Sequence, residues 1–336
     1  MRQAPEAEAA PLITLDDIRA AAARLAGVAI RSPLVRFGPY ERNDWLKAES
    51  LQPIGAFKIR GAYNAIAQLS PAERARGVVA HSSGNHGQGV ARAARLLGVY
   101  AVVVMPSDAP AVKRDRVAAD GAEIVTVGPA SDDRAAMAEQ LARERGLTPI
   151  PPYDDDRVIA GQGTVGLEIA EDLPDLAAVL IPIGGGGLSS GVATAVRSLH
   201  PAARIIGVEP ELAADARDSL AAGRIVRWEA ALVGRTIADG ARGQAIGHRP
   251  FAHLQRLLDG IVTVSEAEII AGVRLAAEEC RLVVEPTGAL AIAAMRFRAR
   301  EAGIEGLAGP VVGVVTGGNV DPERYRTLLT SPIPGG

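Results

Sequence analysis

The amino-acid sequence predicts an α/β architecture built on parallel sheet covered on both faces. Three observations carry this expectation. Short runs that are apolar throughout alternate with amphipathic stretches of helical period, as doubly covered parallel strands do. Two glycine-rich segments, "HSSGNHGQG" (81 to 89) and "IPIGGGGLSSG" (181 to 191), stand where a strand would end and a helix begin. That is where open α/β sheets hold ligands. The chain of 336 residues, 48% apolar and 22% charged, can also bury a large core in one or two domains with no extended disordered or acidic tract.

In chain order, "TLDDIRAAAARLAG" reads as a helix with Thr14 as N-cap and Asp16 and Asp17 in its first turn. "DWLKAES" reads as a strand. From Val78, "VVAHS" leads into a helix over 85–97, "YAVVVM" into a helix near 110–119, and "EIVTV" into a helix at about 131–145. The prolines and acids of "IPPYDDD" (150 to 156) interrupt the pattern and mark a crossing between subdomains, after which "GQGT" restarts it. "AVLIPI" precedes a helix from 187, then "RIIGVE" follows, and "GPVVGVVT" arrives late as a buried strand. The crossovers should be right-handed. The residues before Thr14 and the tail "SPIPGG" are expected to lack order.

Composition excludes several classes of function. A net charge of -3 offers no electrostatic footprint for nucleic acid or an anionic membrane. Cys280 stands alone, so neither an internal disulfide nor a cysteine-built metal site is expected. There is no apolar run of roughly 18 residues. The first residues lack the apolar core of a signal peptide. A cytoplasmic protein acting on a small molecule is the resulting expectation.

The basic residues are distributed unevenly. Of 36, only Lys47, Lys58 and Lys113 are lysines; every other one is arginine. Lysine alone of the two can lose its proton at accessible pH and attack a carbonyl. Lys58, in "GAFKIRGAYNAI" (55 to 66), is flanked by Phe57 and Ile59, unlike a solvated helix face. Lys47 reads as solvated or salt-bridged, and Lys113, beside Arg114 and Asp115, as a surface residue. His81 and His86 lack companions for metal ligation and read as loop hydrogen-bonding residues. Cys280 reads as a buried structural thiol.

Four consecutive glycines, Gly184, Gly185, Gly186 and Gly187, remove every side chain between backbone amides and an anion, and the helix that follows adds its positive end. The loop lacks GxxxxGK[ST], and no acidic residue is placed for a ribose, so it should hold a phosphate without a nucleotide pocket. A phosphate loop, an apolar-flanked lysine and a polar loop on one sheet together suggest pyridoxal 5'-phosphate held by a lysine.

"GAFKIRGAYNAI", "SSGNHGQGVA", "AGQGT", "PIGGGGL", "TIADG", "EPTGA" and "TGGNV" also occur in one order over residues 14 to 325. In these the chain resembles the fold-type II pyridoxal-phosphate enzymes (tryptophan synthase β-like), in particular the serine/threonine dehydratase and serine racemase group. The resemblance implies two α/β domains with mostly parallel twisted sheets: a large one of residues 1–77 and 155–336, and a small one of 78–154 inserted in it. It implies that Lys58 is the Schiff-base lysine with Phe57 beside the ring, and that Asn85 binds the cofactor's 3'-oxygen. Ser82, Ser83, Gly84, Asn85 and His86 would receive the substrate carboxylate. Gly184 to Gly187 with Leu188 would cradle the phosphate. Glu285 would lie near the ring, and Thr316 would face the pyridine nitrogen. A neutral hydroxyl there cannot hold that nitrogen protonated as a carboxylate would, which weakens the electron sink and favours β-elimination over transamination.

The resemblance supports dehydration of serine, threonine or a related β-hydroxy amino acid to a 2-oxo acid and ammonia, with serine racemisation and 3-hydroxyaspartate dehydration as alternatives. β-Replacement fits less well, because the carboxylate loop of cysteine synthases differs. Ser83 is the residue type of racemases and hydroxyaspartate dehydratases, and its hydroxyl would protonate Cα opposite Lys58. Tyr153 resembles the dehydratases instead, while Arg134 matches a substrate-contacting arginine of racemases. Glu209, Asp215 and the carbonyl of Ala213 match carboxylate and carbonyl ligands that hold Mg2+ or Ca2+ in racemase-like relatives. A homodimer or higher homo-oligomer is expected, without the extra C-terminal regulatory domain of biosynthetic threonine dehydratases.

Overall fold

The computed structural model describes residues 11–39, 42–82, 84–109, 111–128 and 131–332. Ten strands form two sheets. β1 (Leu34–Arg36), β2 (Asp44–Ala48), β7 (Ala178–Pro182), β8 (Arg204–Pro210), β9 (Gly260–Val264) and β10 (Val311–Val315) make a six-stranded sheet in the order β1-β2-β10-β7-β8-β9. β3 (Val78–His81), β4 (Ala101–Pro106), β5 (Glu123–Val127) and β6 (Thr148–Pro149) make a four-stranded sheet in the order β5-β4-β3-β6. Every pairing is parallel except β1 with β2. The all-apolar runs occupy the middle of each sheet: β4, β7 and β10 are buried along their whole length.

Helices lie where the sequence period places them, at Leu15–Leu25, Asn85–Leu97, Ala111–Ala119, Ser131–Arg145 and from Gly187. Thr14 closes a capping box with Asp17. The segment after "IPPYDDD" forms the helix Asp156–Asp172, capped by Asp155, whose carboxylate accepts from the amides of Arg157 and Val158. It packs closely on the helix Gly187–Leu199. A Cβ on Gly191 would stand 2.4 Å from the Ile159 carbonyl oxygen, so only glycine admits this approach. Three strands were not anticipated: the short antiparallel edge β1, the two-residue β6, and β9 with its "GIVTV".

A buried ionic network anchors the helix that begins at Lys58 (Lys58–Ala67). Arg60 donates to both carboxylate oxygens of Glu49 and to both of Glu168. Lys47 donates to Glu168 at 2.7 Å and to the Ser32 carbonyl at 2.6 Å. Lys47 is therefore salt-bridged as expected, but fully buried and not solvated. Ser32 closes the network by donating its hydroxyl to Glu49. Such a cluster is tolerable only because every charge has a partner. Cys280 is buried at the end of the helix Glu266–Cys280 and donates its thiol to the Arg36 carbonyl.

Candidate active site

The site lies where the ends of β3, β7 and β10 meet the start of the Lys58 helix. The segment before Lys58 is tied to the end of β10 twice: Phe57 donates its amide to the Thr316 carbonyl at 3.1 Å, and Ala56 bridges Gly317. Lys58 thus leaves the first turn of its helix beside Thr316. Its Nζ donates to the Pro152 carbonyl at 2.6 Å and stands 5.0 Å from the centroid of the Phe57 ring. No carboxylate among the described residues is paired with it. Desolvation pushes its pKa down from 10.5 to about 7, so a substantial fraction is neutral amine near pH 7. Lys47 and Lys113 each have a carboxylate partner, Glu168 and Asp239.

The tetraglycine loop lies beside this amine. Tyr153, the residue after Pro152, packs its ring on the loop, and a Cβ on Gly185 would stand only 2.1 Å from the Tyr153 Cδ1. A Cβ on Gly184 would meet the Gly240 carbonyl at 2.6 Å, and one on Gly186 the Pro250 ring at 2.7 Å. No side chain fits at these positions, and the backbone amides at the start of the helix Gly187–Leu199 remain uncovered by side chains of their own. Leu188, the second residue of that helix, is buried. Tyr153 therefore sits on the phosphate-loop side of the site.

On the opposite side, Asn85 opens the helix Asn85–Leu97. Its Nδ2 donates to Glu285 Oε1 at 2.7 Å, while its Oδ1 accepts from Asn319 Nδ2 at 2.8 Å. The Glu285 carboxyl lies over Gly317, where a Cβ would approach Oε1 to 2.5 Å. Burial, and secondarily the charge of Asp239, raise the Glu285 pKa to about 8. Ser82 Oγ accepts from the Gly84 amide and shapes the turn into the helix. Ser83 lies outside the described residues. His86 is buried, with Nε2 against the Ile150 carbonyl at 2.8 Å. Burial, with a smaller contribution from Lys58, pushes its pKa down to about 3, so it is a neutral hydrogen-bonding residue. Arg134 is half-buried, and its electrostatic neighbours are Asp108, Asp133 and His81.

Among the buried side-chain atoms without a hydrogen-bond partner in the described residues, Thr316 Oγ1, His86 Nδ1 and Gln162 Oε1 border this site. Buried polar atoms are rarely left so, and a cluster at one site indicates a missing polar ligand. Pyridoxal 5'-phosphate fits this set. It has a phosphate for the glycine loop, an aldehyde for Lys58, a ring nitrogen for Thr316 Oγ1 and a 3'-oxygen for the second hydrogen of Asn85 Nδ2.

Gln162 and Asp239 carry no assigned role in the motifs that contain them, "AGQGT" and "TIADG", yet both border the site. Gln162 shares the Pro152 carbonyl with Lys58, donating Nε2 at 3.5 Å. Lys113, expected as a surface residue, is only partly exposed, at 22%, and pairs with Asp239 beside the site. The helix that carries it faces the site, and helical polarity alone did not disclose that.

Glu209 and Asp215 do come together. Glu209, near the end of β8, accepts the amides of Ala216 and Arg217 and so caps the helix Asp215–Ala222. Asp215 Oδ2 is buried without a hydrogen-bond partner among the described residues. Burial raises the pKa of both carboxyls, that of Asp215 to about 7. No cluster of three or more His, Cys, Asp or Glu side chains suited to a metal occurs among the described residues. No helix among them is long and apolar enough to cross a membrane.

A family model described as pyridoxal-phosphate dependent enzyme matches residues 27–317. The chain is 44% identical over 292 residues to the L-threo-3-hydroxyaspartate ammonia-lyase of Saccharomyces cerevisiae, covering 87% of each chain. It is 40% identical over 324 residues to the serine racemase of Schizosaccharomyces pombe, covering 95% of this chain and 98% of the relative. Among solved structures, the maize serine racemase superposes with a TM-score of 0.88 at 35% identity, covering 94% of this chain and 97% of the other. A T.th. threonine deaminase superposes with a TM-score of 0.84 at 45% identity, covering 92% of this chain and 99% of the other.

Proposed function

The chain belongs to the pyridoxal-phosphate-dependent enzymes of fold type II, and from that premise we propose that it is an ammonia-lyase converting a β-hydroxy amino acid such as L-threonine or L-serine to a 2-oxo acid and ammonia. The observation that carries the site assignment is Lys58: a desolvated amine with a neutral carbonyl as its hydrogen-bond partner, adjacent to a loop that admits no side chain. When bound, pyridoxal 5'-phosphate supplies an aldehyde and an electron-accepting ring that stabilises negative charge at a substrate's Cα. Lys58 would hold it, with Gly184 to Leu188 around the phosphate, Phe57 beside the ring, Asn85 at the 3'-oxygen and Thr316 at the ring nitrogen.

The remaining steps fall to the chain's own groups. The amides of Gly84 and Asn85, at the positive end of a helix, bind the substrate carboxylate together with Ser82, Ser83 and His86. Lys58 Nζ takes the Cα proton, for which an amine of pKa about 7 is well matched near neutrality. Neutral His86 binds without competing for that proton. Arg134 and Tyr153 are assigned to the substrate by the family resemblance alone, Tyr153 from the phosphate-loop side of the site. Racemisation is the second reading, favoured by the serine at 83 and by the likeness to a serine racemase. Dehydration of 3-hydroxyaspartate is the third, favoured by the likeness to the yeast lyase. A coupled assay across L-serine, D-serine, L-threonine and the 3-hydroxyaspartate isomers, with chiral analysis of remaining substrate, separates all three. No 2-oxo acid from any of them would overturn the lyase reading.

Three finer readings accompany it. Mg2+ or Ca2+ binds at Glu209, Asp215 and the Ala213 carbonyl, supported by the unpartnered Asp215 Oδ2. The large domain takes residues 1–77 and 155–336 and the small one 78–154, supported by the confinement of the four-stranded sheet to β3 through β6. The protein works as a homodimer or higher homo-oligomer.

A further inference from the structure

The helix Ala111–Ala119, from the part of the chain that builds the four-stranded sheet, reaches the opposite wall of the site at two points. Lys113 Nζ pairs with Asp239 Oδ2 at 3.1 Å, the side chains being 22% and 33% exposed. One turn on, Arg116 Nη1 donates to Asn319 Oδ1 at 2.5 Å, and Asn319 donates in turn to Asn85. The ammonium also borders the start of the substrate loop, since a Cβ on Gly84 would lie 3.7 Å from Lys113 Nζ. Asp239 opens the turn Asp239–Ala241, whose Gly240 donates its amide to Thr287 Oγ1, two residues from Glu285.

Glu285 therefore stands among four elements. Facing it are Asn85, which donates to its Oε1, and the charges of Asp239, Lys113 and Arg324. With Oδ1 of Asn85 held by Asn319 and one Nδ2 hydrogen given to Glu285, the amide plane is fixed from both ends and its second Nδ2 hydrogen is left for a ligand.

We propose that Lys113 and Asp239 are positioning residues whose ion pair closes the substrate loop against the opposite wall and tunes the Glu285 carboxyl that holds Asn85. The inference rests on the cofactor reading above. The two partners act on Glu285 with opposite sign: Asp239 favours its protonated form and Lys113 its ionised form. A merely structural bridge would give both truncations the same effect.

The test uses the holoenzyme and three variants: Lys113→Gln, Asp239→Asn, and the exchange Lys113→Asp with Asp239→Lys. Two readouts are taken, the pH midpoint of the bound cofactor's visible absorbance and the separate kcat and KM. Lys113→Gln should move the midpoint up and Asp239→Asn should move it down, each by about one pH unit. Both should raise KM by about tenfold, equivalent to about 1.4 kcal/mol. The exchange should bring KM back toward wild type while leaving the midpoint low, because a cation then replaces the carboxylate whose charge acts most strongly on Glu285. Shifts of the same sign, or none, with the cofactor band present would overturn the tuning of Glu285. An exchange no better in KM than the single variants would overturn the closing pair. Absence of the band in wild type would instead count against the cofactor reading itself.

Discussion

Arg60 holds Glu49 in a two-pronged ion pair, Nε to Oε2 and Nη2 to Oε1, both at 2.8 Å, with side-chain exposures of 2% and 0%. Arg60 is two residues beyond Lys58, so the pair fixes the first turn of the helix that presents the nucleophile. Together with Lys47 and Glu168 it forms a charge-balanced cluster: two cations and two carboxylates. The pKa of Glu49 is held below its usual value by Arg60, against the opposing effect of burial.

Removing one member leaves an uncompensated charge in the interior. Glu49→Ala or Lys47→Ala should lower unfolding free energy by about 3–5 kcal/mol, whereas an exposed pair such as Arg326 with Glu323 should be worth under about 1 kcal/mol. Chemical denaturation of the apoprotein compares them directly. A buried-pair truncation as mild as Glu323→Ala would show that the cluster does not anchor this helix. Lys47→Arg should also be costly here, because the ammonium fits a space with no exposure.

Gly185→Ala places a Cβ against the Tyr153 ring, where 2.1 Å separates the ideal position from Cδ1. Cofactor affinity should fall at least about tenfold, or about 1.4 kcal/mol. Adding Tyr153→Ala should recover part of the loss by opening the space. Equilibrium titration of the apoprotein with pyridoxal 5'-phosphate measures both. An unchanged affinity in the single variant would remove this loop from the phosphate site.

Asp215 has a folded-state pKa of about 7 against an ordinary value of 3.8. The native chain therefore binds more protons than the unfolded chain across that window. This contribution to stability is fully present below about pH 4 and is lost as pH rises through 7. Metal-free protein should melt lower at pH 8 than at pH 6 through this group, and Asp215→Asn should flatten the dependence. Mg2+ or Ca2+ should restore the wild type and leave the variant unchanged. Exhaustive chelation without effect on melting temperature or rate would set the cation reading aside.

Ser83→Ala should suppress racemisation more than elimination, since elimination returns no proton to the second face of Cα. Chiral chromatography alongside 2-oxo acid detection resolves the two rates. Equal losses would remove Ser83 as the second acid.

Most of the architecture was legible because burial writes itself into the strands: β4, β7 and β10 are apolar at nearly every position and buried at all of them. The short β1 and β6 carry too few residues to show a period, and their place comes from their neighbours. In the site, Lys58 and the four glycines announced themselves by local composition. Gln162, Asp239 and Lys113 did not, since each acquires its place only when distant segments meet. Lys113 pairs with a residue 126 positions away. A polar helix reads alike whether its ammonium faces water or another wall of the molecule.

The central claim, that Lys58 is the residue holding the cofactor, is tested most directly by hydride reduction of the holoenzyme followed by peptide mass mapping. The chain offers three lysines, each in its own sequence context. A single pyridoxyl label on Lys58, absent from Lys58→Ala, is the predicted result. Label on Lys47 or Lys113 in the folded holoenzyme, or labelling that survives Lys58→Ala at the wild-type level, would contradict it.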